Sequence, residues 1–231
     1  MKTQFVAAML LFSFFRTQAQ DDRSKMDWPN LNKYAQENAA LKAPTAQEQR
    51  VVFMGNSITE FWKRDDPAFF EGRPYFDRGI SGQTTSQMLL RFRPDVINLK
   101  PKVVVILAGI NDIAENTGPI SLENVFGNIV SMAELARANN IKVVLSSVLP
   151  ALDFYWRPGL EPAPKVIKLN AMIKSYCTKN NIPYADYFSA MVDAENGLDK
   201  KYTNDAVHPT LAGYKVMEPI VEKAIKKALS K

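Results

Sequence analysis

Three short apolar runs constrain this chain more than any other feature. They are Val51-Val52-Phe53-Met54, Lys102 to Leu107 and Ile141 to Val148. Each is rich in β-branched residues, and each is continuous rather than alternating. A strand that faces water on one side alternates with a period of two, so continuous runs predict strands buried on both faces of a parallel sheet. Tyr75 to Ile80 and Ile182 to Phe188 are weaker candidates of the same kind. Helical patterns separate the runs: Ile58 to Arg64, Thr84 to Phe92, Ser121 to Asn139, Pro164 to Asn180 and Thr210 to Leu229. In the longest middle segment Ser121 is placed to cap the helix, and Ile129, Met132, Leu135 and Ala136 fall on one stripe. Strand and helix in regular alternation predict an α/β fold, a sheet sandwiched between two helical layers. No internal repeat or low-complexity linker divides it. One domain over residues 50–231 is expected, after a polar, partly helical lead-in over 20–49 in which Leu31, Tyr34 and Leu41 can pack.

Residues 1–19 have a different character. Lys2 precedes an apolar run from Phe5 to Phe15 broken only by Ser13, and Thr17-Gln18-Ala19 supplies small residues where a signal peptidase cuts. This is the pattern of a secretory signal, and the run is shorter than the roughly 20 apolar residues that span a bilayer. Export to the periplasm or the exterior is expected, without a stable membrane anchor. Cleavage after Ala19 removes Lys2 and Arg16 and lowers the formal charge from +5 to +3. The remaining cations are scattered, except for Lys223, Lys226, Lys227 and Lys231 on the last helix, which read as a solvated face and not as a nucleic-acid surface. The one cysteine, Cys177, falls within a predicted helix and reads as a small buried apolar residue.

In open parallel sheets the ligand site forms outside the carboxyl ends of the strands. The segments to read are therefore Gly55-Asn56-Ser57, Gly79-Ile80-Ser81-Gly82, Ala108 to Asp112, and Leu149 onward. His208 is the only histidine of the chain, and Asp205 precedes it by three residues in Asp205-Ala206-Val207-His208-Pro209. In a turn, that spacing lets the carboxylate reach Nδ1 of the ring, orient it and stabilise an imidazolium. Free imidazole titrates at about 6.5, so such a histidine can take and return a proton near neutral pH. A base of this kind needs a nucleophile. Ser57 directly follows the first strand at a helix start, where the backbone N–H groups favour developing negative charge. A helix cap is the competing role for that serine.

Taken together, Gly55-Asn56-Ser57-Ile58-Thr59, Gly79-Ile80-Ser81-Gly82, Gly109-Ile110-Asn111-Asp112 and Asp205-Ala206-Val207-His208 resemble the four blocks of the SGNH, or GDSL-type, hydrolases, in the family's order. The resemblance implies a three-layer, flavodoxin-like sandwich with a five-stranded, mostly parallel sheet. It implies a triad of Ser57, His208 and Asp205, with the backbone N–H groups of Ser57 and Gly82 and the Asn111 side chain as oxyanion hole. No cofactor or metal is implied. One position departs from the pattern: the family usually carries aspartate before the serine, and this chain has Asn56. That change bears on local hydrogen bonding and on the charge beside the nucleophile.

The segment from Leu149 to Lys165 carries Phe154, Tyr155 and Trp156 among several prolines. These aromatics can form a platform for a sugar ring or an acyl pocket, or they can pack on their own domain. Arg64, Asp65 and Asp66 can form a rim or stay solvated. Other chemistries find little support. One histidine and one cysteine do not make a zinc set, and neither G-x-G-x-x-G nor G-x-x-x-x-G-K-[ST] occurs. The expected function is hydrolysis of short-chain esters, acetyl above all, in a small molecule or an extracellular glycan. Lysophospholipase or thioesterase activity and a non-catalytic binding role are the alternatives. Oligomeric state is not readable from the sequence.

Overall fold

The computed structural model describes residues 27–231. The expected signal over 1–19 lies outside the described residues. The lead-in contributes one short helix, α1 (Ala35–Ala40). The domain then runs β1 (Val51–Gly55), α2 (Ser57–Asp65), α3 (Pro67–Phe70), β2 (Tyr75–Gly79), α4 (Thr85–Asp95), β3 (Val103–Ile106) and α5 (Ile110–Ile113). It continues through α6 (Leu122–Ala138), β4 (Lys142–Ser146), α7 (Pro162–Lys179), β5 (Tyr184–Ala185), α8 (Tyr187–Met191) and α9 (Leu211–Leu229).

The five strands form one sheet in the order β2-β1-β3-β4-β5, every pair parallel. This is the order of the doubly wound, flavodoxin-like sheet, and its direction of winding switches between β1 and β3. β1 and β3 are wholly buried, as continuous apolar runs require, because helices cover both faces. Helices α2 and α9 pack on one face, while α4, α6 and α7 pack together on the other. Tyr214 of α9 donates its hydroxyl to the Ile58 carbonyl of α2 at 2.9 Å, tying that layer together.

Local signals fix the elements. Ser121 accepts a hydrogen bond from Asn124 N–H and caps α6, and Thr84 with Gln87 forms a capping box before α4. The fifth strand is shorter than Ile182 to Phe188 predicts. Asp186 accepts from Ser189 N–H, and this cap starts α8 where the aromatic pair Tyr187-Phe188 reads as strand. Helix α4 buries Thr85, Met88, Arg91, Phe92 and Asp95, so its inner face carries an ion pair as well as apolar groups. In the lead-in, Leu41 packs on the core whereas Leu31 is exposed. Cys177 is buried and its thiol is pushed up to about 12 by burial, in keeping with a packing role.

Candidate active site

Ser57 is placed by the end of β1. Its immediate predecessor, Asn56, is the helix cap: Oδ1 accepts from Ile58 N–H at 3.0 Å, and the Asn56 carbonyl accepts from Thr59 and Glu60 N–H. Ser57 is thus the first helical residue and not the cap, which frees its hydroxyl for other use. Asn56 keeps a capping bond of the kind an aspartate would make, without the negative charge. Gly55 permits the turn, since a Cβ there would sit 1.9 Å from Thr59 Oγ1.

The chain brings Ser57 and His208 together from 151 residues apart, with Oγ 2.9 Å from Nε2. His208 Nδ1 lies 2.7 Å from Asp205 Oδ2. The other oxygen, Oδ1, accepts from the backbone N–H of Val207 at 3.0 Å and of His208 at 2.7 Å. Ala206 holds this turn with φ of +67°, a left-handed conformation that costs an L-residue about 1–2 kcal/mol. Burial by itself would raise the Asp205 pKa. The His208 backbone N–H, the His208 ring and the Val207 N–H outweigh it and hold the carboxyl below its ordinary value. The imidazole also packs on Phe61, with ring centroids 5.2 Å apart.

Gly82 and Asn111 line the same cleft as Ser57 and His208. Gly82 has φ of +77° with open space where a Cβ would stand, so backbone conformation rather than crowding calls for glycine. Asn111, nearly buried, donates through Nδ2 to the Gln83 carbonyl at 3.0 Å. An amide has two N–H donors, so one remains for a ligand oxygen. Next to it, Asp112 turns away from the cleft and accepts from Thr85 N–H at 2.9 Å and Thr85 Oγ1 at 2.6 Å. Burial pushes its carboxyl up to about 6 against those bonds. Among the described residues no group of three His, Cys, Asp or Glu side chains is arranged to hold a metal ion.

The cleft has a volume of about 750 Å³. The aromatic segment divides between the core and the cleft. Phe154 is fully buried and packs on its own domain, whereas Tyr155 and Trp156 face the cleft, 68% and 37% exposed. Trp156 donates Nε1–H to Asn116 Oδ1 at 3.2 Å, and its ring lies 6.4 Å from that of His208. Arg64, which also lines the cleft, stacks over Phe61 at 3.9 Å and pairs with Asp65. Asp66 does not join this rim. It is buried and pairs with Lys215 of α9 at 2.9 Å.

Three residues of the surroundings were not singled out by the sequence: Gln83, Arg91 and Glu60. Glu60 accepts from Ser81 N–H at 2.7 Å and from Ser81 Oγ at 2.6 Å, next to Gly82. The only trace of Arg91 in the sequence is its i,i+4 spacing from Asp95, which by itself reads as an exposed pair.

Comparison with known proteins identifies the family. Residues 53–216 match the model of the GDSL-like lipase/acylhydrolase family. A crystal structure of a GDSL-like lipase from Bacteroides thetaiotaomicron VPI-5482 is 54% identical and superposes with a TM-score of 0.86, covering 87% of this chain and 100% of that one. The platelet-activating factor acetylhydrolase IB subunit alpha2 of Homo sapiens is 28% identical over 190 residues, 76% of each chain. The lipoprotein YqeF of Bacillus subtilis strain 168 is 29% identical over 147 residues, so the match spans only 59% of that protein and 56% of this one. This chain belongs to the GDSL-like lipase/acylhydrolase family.

Proposed function

We propose that the protein is a serine esterase in which Ser57, His208 and Asp205 act as a triad, and that it removes short acyl groups from a polyhydroxylated alcohol such as a glycan. The observation that carries this reading is the continuous relay from Ser57 Oγ to His208 Nε2 at 2.9 Å and from His208 Nδ1 to Asp205 Oδ2 at 2.7 Å. His208 takes the serine proton as Oγ attacks the ester carbonyl. The tetrahedral oxyanion is held by the backbone N–H groups of Ser57 and Gly82 and by the second N–H of Asn111. His208 then gives its proton to the leaving alcohol, and water activated by the same imidazole releases the acid.

Two observations favour the substrate class. Tyr155 and Trp156 form an exposed aromatic wall on an open cleft, a surface on which the apolar face of a sugar ring can rest. The human relative is by name an acetylhydrolase, which favours a short acyl group. For location we infer export through the signal over 1–19. A relative described as a lipoprotein supports an envelope or extracellular setting, and no helix of the described residues is long and apolar enough to cross a membrane.

The test is a series of p-nitrophenyl acetate, butyrate and octanoate followed by acetylated xylo-oligosaccharides. Acetate is expected to be the best of the series, and octanoate turning over faster than acetate would point to a lipid substrate instead. Trp156→Ala is expected to raise KM for the oligosaccharide about tenfold, the loss of one stacking contact of roughly 1–1.5 kcal/mol, while leaving p-nitrophenyl acetate within about twofold. Equal effects on both substrates would remove the indole from a sugar-binding role. Asn111→Ala is expected to cost roughly a hundredfold or more in kcat. A loss below about tenfold would take that amide out of the oxyanion hole.

A further inference from the structure

Beneath the cleft floor, one side chain joins the two loops that must act together. Gln83 directly follows Gly82 and is buried. Its Oε1 accepts from Arg91 Nε, its Nε2 donates to the Pro29 carbonyl of the lead-in at 2.7 Å, and its own carbonyl accepts from Asn111 Nδ2 at 3.0 Å. Arg91 is completely buried and extends the link to the nucleophile turn: its Nη2 donates at 2.9 Å to the carbonyl of Gly55, two residues before Ser57. Its remaining arm, Nη1, pairs with Asp95 at 2.9 Å. The guanidinium is a rigid planar fork, so its Nε and Nη2 ends hold their acceptors at a fixed separation.

The geometry points to Gln83 as a positioning residue that, through Arg91, sets the distance between the Ser57 turn and the oxyanion donors of Gly82 and Asn111. The inference rests on the serine-esterase reading above. Gln83 touches no substrate. It holds the Asn111 amide through its carbonyl and locks the Gly82 loop to the floor of the nucleophile turn through its side chain. Donors to an oxyanion contribute only when they are preorganised at hydrogen-bond distance, and a displacement of about 1 Å costs on the order of a hundredfold.

The experiment compares Gln83→Met and Gln83→Glu with wild type on p-nitrophenyl acetate, with Ser57→Ala as control. Methionine keeps the length and loses both side-chain bonds. Glutamate keeps the acceptor for Arg91 Nε, loses the donor to Pro29 and sets a carboxylate oxygen against the Pro29 carbonyl. Gln83→Met is expected to lose about thirtyfold or more in kcat, with KM within about threefold, because misplaced oxyanion donors weaken the transition state and not the ground state. Gln83→Glu is expected to recover to within about fivefold of wild type, since a charged acceptor still seats the guanidinium. A folded Gln83→Met within threefold of wild type overturns the inference, as does a Gln83→Glu as slow as Gln83→Met.

If Gln83→Met fails to fold, Arg91→Lys decides. A lysine retains the charge for Asp95 but cannot fork between Gln83 and Gly55, so kcat is expected to fall at least about tenfold at constant KM. An unchanged kcat in a folded Arg91→Lys overturns the inference. Full turnover in Ser57→Ala would instead overturn the esterase reading itself, so the two failures are distinguishable.

Discussion

Ser57→Ala is expected to lower kcat by at least about a thousandfold while leaving the fold and the melting temperature close to those of wild type. The hydroxyl is proposed as the atom that forms the acyl-enzyme. Without it, only the oxyanion donors and binding remain to assist direct attack by water, and a thousandfold loss corresponds to about 4 kcal/mol of transition-state stabilisation. The structural side of the expectation comes from the local contacts. The hydrogen bond of Ser57 Oγ is to His208, so its removal leaves no helix uncapped: Asn56 Oδ1 still accepts from Ile58 N–H at 3.0 Å. Alanine is well suited to the first turn of a helix, and the stability change is expected within about 0.5 kcal/mol. Hydrolysis of p-nitrophenyl acetate by the two proteins, with thermal unfolding followed by circular dichroism, checks both halves. A folded variant that keeps a tenth of the wild-type rate would remove Ser57 as nucleophile. Labelling by an organophosphonate that persists in the variant would do the same.

The fold was legible in the sequence because its strands are buried on both faces. Val51 to Met54 and Lys102 to Leu107 have no polar alternation to confuse the period, and they occupy inner positions of the sheet, with neighbouring strands on both edges. The edge was harder. Tyr184–Ala185 gives way to a helix because the Asp186 side chain finds a backbone N–H, a local event that outweighs the strand propensity of two aromatics. At the site, Ser57, Asp205 and His208 stood out because a serine directly follows the first strand and the single histidine has a carboxylate three residues before it, and the structure brings the three within hydrogen-bond reach. What supports them could not. Arg91 and Asp95 are four residues apart on a helix, which in a sequence describes an exposed pair on a solvated face. Only the placement of α4 against the lead-in and the β1 turn makes that pair buried. The loop from Leu149 is similar: Phe154 and Trp156 share a composition, but Asp153 Oδ1 accepts from Phe154 and Gly159 N–H, and this bend sends one ring inward and the other to the cleft.

Asp205→Asn is expected to produce the second largest loss, on the order of a thousandfold to ten-thousandfold in kcat. The carboxylate has two functions that an amide cannot both fulfil. Oδ2 accepts from the imidazole Nδ1–H at 2.7 Å, which leaves Nε2 as the unprotonated nitrogen facing Ser57 Oγ. Oδ1 accepts from the backbone of Val207 and His208, which holds the turn. Asparagine has one acceptor oxygen. If that oxygen stays on the backbone donors, the amide NH₂ faces Nδ1, the ring turns to the tautomer protonated on Nε2, and the base is lost. If it serves the ring, the turn carrying Ala206 at φ +67° loses its acceptor. The pH dependence separates this role from simple stabilisation. The Asp205 carboxyl is held below its ordinary value, so its contribution is present above the usual carboxylate range and is lost only as the pH falls through its lowered folded value. Activity is therefore expected to lose the Asp205 contribution only below the usual carboxylate range. A folded variant with a loss of less than tenfold would mean that Asp205 only holds the turn, and that the imidazole is oriented by other means.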